Sequence, residues 1–257
     1  MCFNLESRRD VGLSLRSFLL FIMIRALLLA FCLLQFVGLS AGMAQGQTGM
    51  LSKSSIKAGT VYMGLIRDAA DAFIKRDFPT AEKKLDEADK IKPDLFDSIC
   101  LRASIYAELR EFPKAQLYYE KALTIQPNSF LPKFNLAEML LMQKKFEEAQ
   151  TAFEQLAVPP GRARELVDFK IVLAALGKGN DARAREVLDH MKFPSDSGAY
   201  YYANAAWEFA HGKKDKANDW IQSGDSIFGH ARNYSFYDSL ADMGWVTARQ
   251  SPAAGTP

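Results

Sequence analysis

The residues best suited to catalysis or metal binding are few in this chain of 257 residues. Its three histidines are His190, His211 and His230; no two lie at i and i+4, and none stands beside a glutamate in a zinc pattern. Cys100 has no histidine near it in the sequence, and there is neither a phosphate-binding glycine loop nor a nucleophile elbow. We therefore predict no enzyme activity, no catalytic residue, no cofactor and no metal.

The charged residues indicate a solvated surface rather than a nucleic-acid site. The first 44 residues hold four arginines against two acidic residues, so the 32 basic residues fall to 28 beyond Ala44 and the 30 acidic residues also fall to 28. Clusters such as Asp86, Glu87 and Asp89 alternate with lysines, as on an exposed helix face. A neutral body lacks the basic excess that phosphate binding requires, so we predict no nucleic-acid partner.

A set of aromatic and leucine side chains could instead bind a protein: Leu131, Phe134, Leu166, Phe169, Tyr202 and Phe209. Each leucine precedes a phenylalanine by three positions, and Phe209 follows Tyr202 by two helical turns, so on helices they share a face. Flat apolar side chains suit partner segments with hydrophobic anchors. Residues at this spacing more often pack against a neighbouring helix, and that alternative stays open.

The elements that must position these side chains repeat about every 34 residues. A small residue recurs at intervals of 34, 34, 35 and 33: Ala81, Ala115, Ala149, Ala184 and Ala217. A large residue follows four positions later: Leu85, Tyr119, Phe153, Leu188 and Ile221. A third column lies twelve positions before the first: Ala69, Ala103, Ala137, Val172 and Ala205. Small residues let helices approach and large ones fill the space between them, so the columns predict a solenoid of helix pairs.

Proline and aromatic residues mark the turns of this repeat. A helix is predicted from about Ile56 to Arg76, a turn at 77–79, and a second helix to about Ile91 that Pro93 ends. The units are expected at 62–95, 96–129, 130–164, 165–197 and 198–231.

These features resemble the tetratricopeptide repeat (TPR) family over roughly Tyr62 to His230. The match is strongest in the first three units, which share a phenylalanine at the turn and a proline after the second helix: Phe78, Phe112 and Phe146, then Pro93, Pro127 and Pro160. The fourth and fifth units keep a glycine at the turn but lose the aromatic residue. The resemblance implies an all-α fold, a right-handed α-solenoid of about five helix-turn-helix units with a C-terminal capping helix.

In this family the first helix of each pair lines a concave groove that holds peptide segments. The resemblance therefore places the six aromatic and leucine residues in an apolar groove. Members that clamp a partner's terminal carboxylate carry lysine, asparagine and arginine there, whereas this chain has Ile66, Ala70, Leu101, Leu131 and Asn135. Only the last is of the required type, so we expect neither a carboxylate clamp nor acidic ligands.

The ends of the chain differ from the repeats. Residues 45–61 are predicted to be a linker and the start of the first helix, 232–249 a capping helix, and 250–257 a disordered tail. The capping helix would cover the apolar face of the last unit, and Gly244 is suited to its end.

The first 44 residues have the layout of a secretory signal peptide. From Met23, Arg25 precedes fourteen mostly apolar residues and then a stretch of small residues ending at Ala44, so Met23 is a candidate start. The alternative is an uncleaved signal anchor, since the apolar run is near the lower limit for crossing a bilayer.

We therefore expect a non-enzymatic interaction scaffold, exported to the periplasm of a bacterium, that binds protein partners in the apolar groove. The alternative is an accessory subunit of an assembly or secretion machine, anchored in the inner membrane by the uncleaved segment. A membrane is expected as a partner only in that second case. An enzyme with an unrecognised site is the third possibility.

Overall fold

The computed structural model describes residues 53–247, most of which belong to one compact unit that begins at Lys57. Within these residues there are eleven α-helices and no strand, so the all-α prediction is confirmed for the part of the chain described. The helices are α1 (Lys53–Ile74), α2 (Phe78–Ile91), α3 (Phe96–Glu108), α4 (Phe112–Ile125), α5 (Phe130–Met142), α6 (Phe146–Glu154), α7 (Arg162–Lys178), α8 (Asp181–His190), α9 (Ala199–Ala210), α10 (Lys214–Phe228) and α11 (Tyr234–Asp242). None of these helices combines the length and the apolar character needed to cross a membrane.

Successive helices pack against each other along the chain. Each helix from α2 to α9 contacts the next one, and three further contacts join alternate helices: α3 with α5, α7 with α9, and α9 with α11. This arrangement is compatible with an α-solenoid, because most contacts are between sequence neighbours. The right-handed sense and the number of units stay predictions.

The turns between paired helices repeat in backbone conformation. Arg76, Arg110 and Lys144 have φ angles of 59°, 61° and 60°, and Gly179 and Gly212 have 79° and 72°. In each turn the next residue donates its N–H to a carbonyl five positions earlier, for example from Glu111 to Tyr106, which closes the helix end. These left-handed positions follow one another at 34, 34, 35 and 33 residues, the intervals seen in the sequence.

The three columns of small and large residues form the interior of the helix stack. All fifteen residues are buried, and the small residues of the first and third columns have no exposed surface. Alanine at these positions lets the backbones of adjacent helices approach, and the larger residues of the second column fill the gaps that remain.

The helix ends follow local chemistry. The side chain of Asp77 accepts a hydrogen bond from the N–H of Thr80, and Pro79 lies in the first turn of α2, where its missing N–H costs nothing. The cap at α8 is similar, because the Asn180 side chain accepts from the N–H of Arg183.

Some predicted boundaries differ from the structure. Helix α1 begins at Lys53 rather than near Ile56, and α7 begins at Arg162, so the unit predicted at 165–197 starts inside a helix. Up to residue 247, the helix predicted over 232–249 spans Tyr234–Asp242 and ends before Gly244, which has a φ of 80°. The signal peptide, most of the linker and the tail lie outside the described residues.

Candidate protein-binding face

The six residues predicted to bind a partner lie on three first helices of the stack, α5, α7 and α9. We call the surface around them the first-helix face: Leu131, Phe134, Leu166, Phe169, Tyr202 and Phe209. The four aromatic side chains are buried, Phe169 and Tyr202 completely, whereas the two leucines keep part of their surface exposed.

Phe134 packs inward rather than outward. Its ring lies 5.4 Å from that of Phe130 and 5.5 Å from that of Phe153, the large residue of α6. The aromatic ring therefore joins the two helices of one pair, which is the packing alternative that the spacing had left open.

The rings of Phe169 and Tyr202 are covered by helix α11. Phe236 has its ring centroid 5.3 Å from that of Phe169, with the planes at 87°, and 5.7 Å from that of Tyr202. Farther along, Trp245 stacks at 6.4 Å over Phe209. The C-terminal segment thus lies on the first-helix face, in contact with both α7 and α9.

The position of α11 limits which of the six residues a partner could reach, but it does not test whether they bind one. While α11 stays in place, a partner could contact Leu131 and Leu166 but has no access to Phe169 or Tyr202. The binding role of the six residues stays a prediction. The last helix was expected to cover only the end of the stack. In the structure it also contacts the earlier helix α7.

Two basic residues add charge to this face. Lys170, only 6% exposed, donates a hydrogen bond of 2.8 Å to the hydroxyl of Ser239 and pairs with the carboxylate of Glu138. Arg110, in the turn after α3, pairs at 2.5 Å with Asp242. A buried ammonium group is stable only with such partners, so Lys170 depends on both of its neighbours.

Sequence reasoning missed Lys170 and Arg110. The one signal available was the position of Lys170 between Phe169 and the apolar run Ile171–Leu176, where a solvated lysine is unexpected. The prediction that the groove is unsuited to acidic ligands was based on the five carboxylate-clamp positions, which do not include Lys170 or Arg110. The segment that lies on the face is itself acidic, with Asp238 and Asp242 and no lysine or arginine from Tyr234 to Val246.

Asp225 fixes the connection that leads into α11. Its carboxylate accepts hydrogen bonds from the hydroxyl of Tyr202 at 2.8 Å and the amide of Asn233 at 2.9 Å, and lies 2.9 Å from Nδ1 of His230. Burial alone would raise the pKa of the Asp225 carboxyl, but the hydrogen bonds from His230, Asn233 and Tyr202 outweigh burial and lower that pKa.

Asn135, the one residue that matched the carboxylate clamp, makes its hydrogen bond inside the helix stack. Asn135 donates to the hydroxyl of Tyr119 at 2.9 Å, and Ser104 lies 3.0 Å from the same hydroxyl. Burial raises the pKa of Tyr119, so the phenol stays neutral and holds this network between helices. In this structure Asn135 is therefore a packing residue.

The histidines and the cysteine have separate environments. His190 lies 2.7 Å from the carbonyl of Glu186, His211 lies 3.0 Å from Asp181, and Cys100 is buried in α3. Over residues 53–247 there is no group of three or more His, Cys, Asp or Glu side chains placed to hold a metal ion.

The first-helix face packs against a helix of the same chain. Aromatic rings supply apolar contact, and Lys170 and Arg110 supply fixed positive charge. A comparison with protein-family models, with curated proteins and with solved structures finds no match to this chain.

Proposed function

We propose that this chain is a non-enzymatic scaffold for protein–protein interaction. In this proposal it is a right-handed α-solenoid of five TPR-like helix pairs, and the first-helix face binds segments of partner proteins. The recurrence of left-handed turn residues and of buried small residues every 33 to 35 positions supports the repeat architecture.

The observation that carries the proposal is that the first-helix face already holds a helix. Helix α11 sits on it through the rings of Phe169 and Tyr202 and through an ion pair with Arg110. A preformed face of stacked helices loses little conformational entropy on binding, which favours association with short segments. Leu131 and Leu166 extend the same face and are partly exposed.

Photocrosslinking in the native cell tests this function. A photoreactive amino acid at Leu131 or Leu166 should capture one recurrent protein, because these side chains combine accessibility with a place beside the aromatic rings. The matched control is Ile227 on α10, which is 60% exposed and lies away from the six face residues in sequence and on a second helix. Equal capture from Leu166 and Ile227, or none from either leucine, contradicts the proposal.

We further propose that the scaffold is exported. This part rests on Arg25, the apolar run after it and the small residues before Ala44. Mass spectrometry of the mature N-terminus should find the chain beginning at Gln45. Release by osmotic shock supports a free periplasmic scaffold, whereas retention in membranes after salt washing supports the anchored accessory subunit.

A further inference from the structure

We propose that the first-helix face takes a short acidic amphipathic helix from a partner protein, and that this helix binds by displacing the chain's own segment 233–247. The inference rests on the proposed scaffold function and specifies the ligand of the same face. The chain's segment occupies the site in the free protein and shows what a ligand must offer.

The contacts of the segment define a one-sided recognition pattern. Phe236 meets Phe169 and Tyr202, and Leu240, four residues later, has no exposed surface. Positions four apart lie on the same side of a helix, so the aromatic and the leucine residue form one apolar anchor stripe. This is the pattern by which an amphipathic helix binds in a groove.

Polar contacts on the same side add charge selection. Ser239 accepts a hydrogen bond from Lys170, and Asp242 pairs with Arg110. Because Lys170 is buried, an occupant without an oxygen acceptor there would leave part of its hydrogen-bonding capacity unsatisfied. The ligand helix therefore carries an aromatic residue, and the other three positions are counted from it. A hydroxyl or other acceptor lies three residues after the aromatic residue, an apolar residue four after it, and a carboxylate six after it.

Two features of the segment would allow a partner helix to displace it. Helix α11 has nine residues, too few to be stable as a helix away from the face. It is joined to α10 by only five residues, Gly229–Asn233, so it competes with a partner at an effective concentration in the millimolar range. Weakening the segment's own contacts should therefore raise the affinity for a ligand in trans.

The experiment uses the full chain and a fluorescent peptide of residues 233–247. The peptide should bind the Phe236→Ala chain about tenfold or more tightly than it binds the unchanged chain, because the tethered competitor is weakened. A control peptide that carries the same Phe236→Ala change should lose about tenfold in affinity for the variant chain. Fluorescence anisotropy measures the affinities, and circular dichroism checks the helix content of each chain.

A second pair of variants avoids the interior in case the Phe236→Ala chain does not fold. Asp242→Lys breaks only the partly exposed ion pair with Arg110 and should tighten peptide binding about twofold to fivefold. In the chain with Arg110→Asp, a peptide with Asp242→Lys should bind more tightly than the unchanged peptide, which reverses the normal preference.

Several outcomes overturn the inference. The first is an absence of saturable peptide binding to the folded Phe236→Ala and Asp242→Lys chains. The second is equal affinity for the unchanged peptide and the Phe236→Ala peptide. The third is a dimer in which a second copy of the chain supplies the segment. Sedimentation velocity detects that dimer.

The two proposals fail separately. A partner crosslinked at Leu131 without any peptide exchange keeps the scaffold function and removes this inference. Peptide exchange without a crosslinked partner shows that the segment can be displaced, while the scaffold function fails and with it the claim that a partner protein supplies the helix.

Discussion

The rings of Phe169 and Phe236 meet nearly at right angles, with centroids 5.3 Å apart, although one belongs to a central helix of the stack and the other to the C-terminal helix. Edge-to-face aromatic pairs of this kind contribute about 0.5 to 1.5 kcal/mol beyond the burial of their surface. This contact fixes the C-terminal segment on the first-helix face.

The first prediction concerns that contact. Replacing Phe236, which is 8% exposed, by alanine should lower the free energy of unfolding by about 3 to 5 kcal/mol, because a buried ring is lost and a cavity remains. Ile227→Ala is the control, since that side chain is largely exposed and the change should stay within about 0.5 kcal/mol. Urea denaturation measures both. A similar small effect at Phe236 would mean that α11 is only loosely attached.

The ion pair between Lys170 and Glu138 predicts that removing the acidic partner costs more stability than removing the basic one. Glu138→Gln should destabilise the chain by about 1 to 3 kcal/mol, because Lys170 keeps its buried charge and loses its counterion. Lys170→Met should cost less, because it removes the buried charge and leaves the carboxylate of Glu138, which is about one-third exposed, in contact with water. Thermal unfolding of both variants and of the double variant checks the order, and the reverse order would contradict this account of the charge.

Gly198 has a specific steric role. A Cβ atom at this position would lie 2.1 Å from Oδ1 of Asn233, the residue that precedes α11. Gly198→Ala should therefore displace Asn233, break its bond to Asp225 and destabilise the chain by about 1 to 3 kcal/mol. Gly64→Ala in α1 is the matched control: nothing lies near its added Cβ, and helix propensity predicts a gain of up to about 1 kcal/mol. Equal effects of the two changes in urea denaturation would rule out the clash.

The two kinds of turn residue should respond oppositely to substitution. Gly179→Ala places a side chain at a φ of 79° and should cost about 1 kcal/mol, even though the added Cβ has open space around it. Lys144→Gly, at the equivalent place one unit earlier with a φ of 60°, should be neutral or stabilising by up to about 1 kcal/mol. Chemical denaturation measures both, and a loss at Lys144 would argue against an equivalent turn.

Asp225 gives a prediction for acid stability. Its folded-state pKa is lowered, so the folded chain binds the proton less tightly than the unfolded chain does. The ionised Asp225 carboxylate therefore stabilises the folded chain at any pH above the pKa of an unfolded aspartate, which is about 4. This contribution is lost as the pH falls through the lower pKa of Asp225 in the folded chain. Asp225→Asn should lower the urea midpoint at neutral pH and abolish this part of the pH dependence. Asp219→Asn, at an exposed position on the same helix, is the control and should leave the urea midpoint at neutral pH unchanged.

The sequence by itself determined the helix pairs and their turns. The columns through Ala81, Leu85 and Ala69 predicted which residues are buried, and Pro79 and Pro93 marked the two ends of α2. These features are local, since each depends on residues within one or two turns of a helix or on the adjacent pair. The repeat period could be counted along the chain for the same reason.

Only the tertiary structure decided what the aromatic residues of the first helices contact. Periodicity placed Phe169 and Tyr202 on one side of their helices, but a packed interior and an open groove require the same spacing. The ring that covers both residues is Phe236, which belongs to the last helix. The polar contacts of that helix are also long-range: Lys170 and Ser239 are 69 residues apart, and Arg110 and Asp242 are 132 apart. The path of the last helix depends on the combined shape and charge of several pairs, which no local pattern encodes.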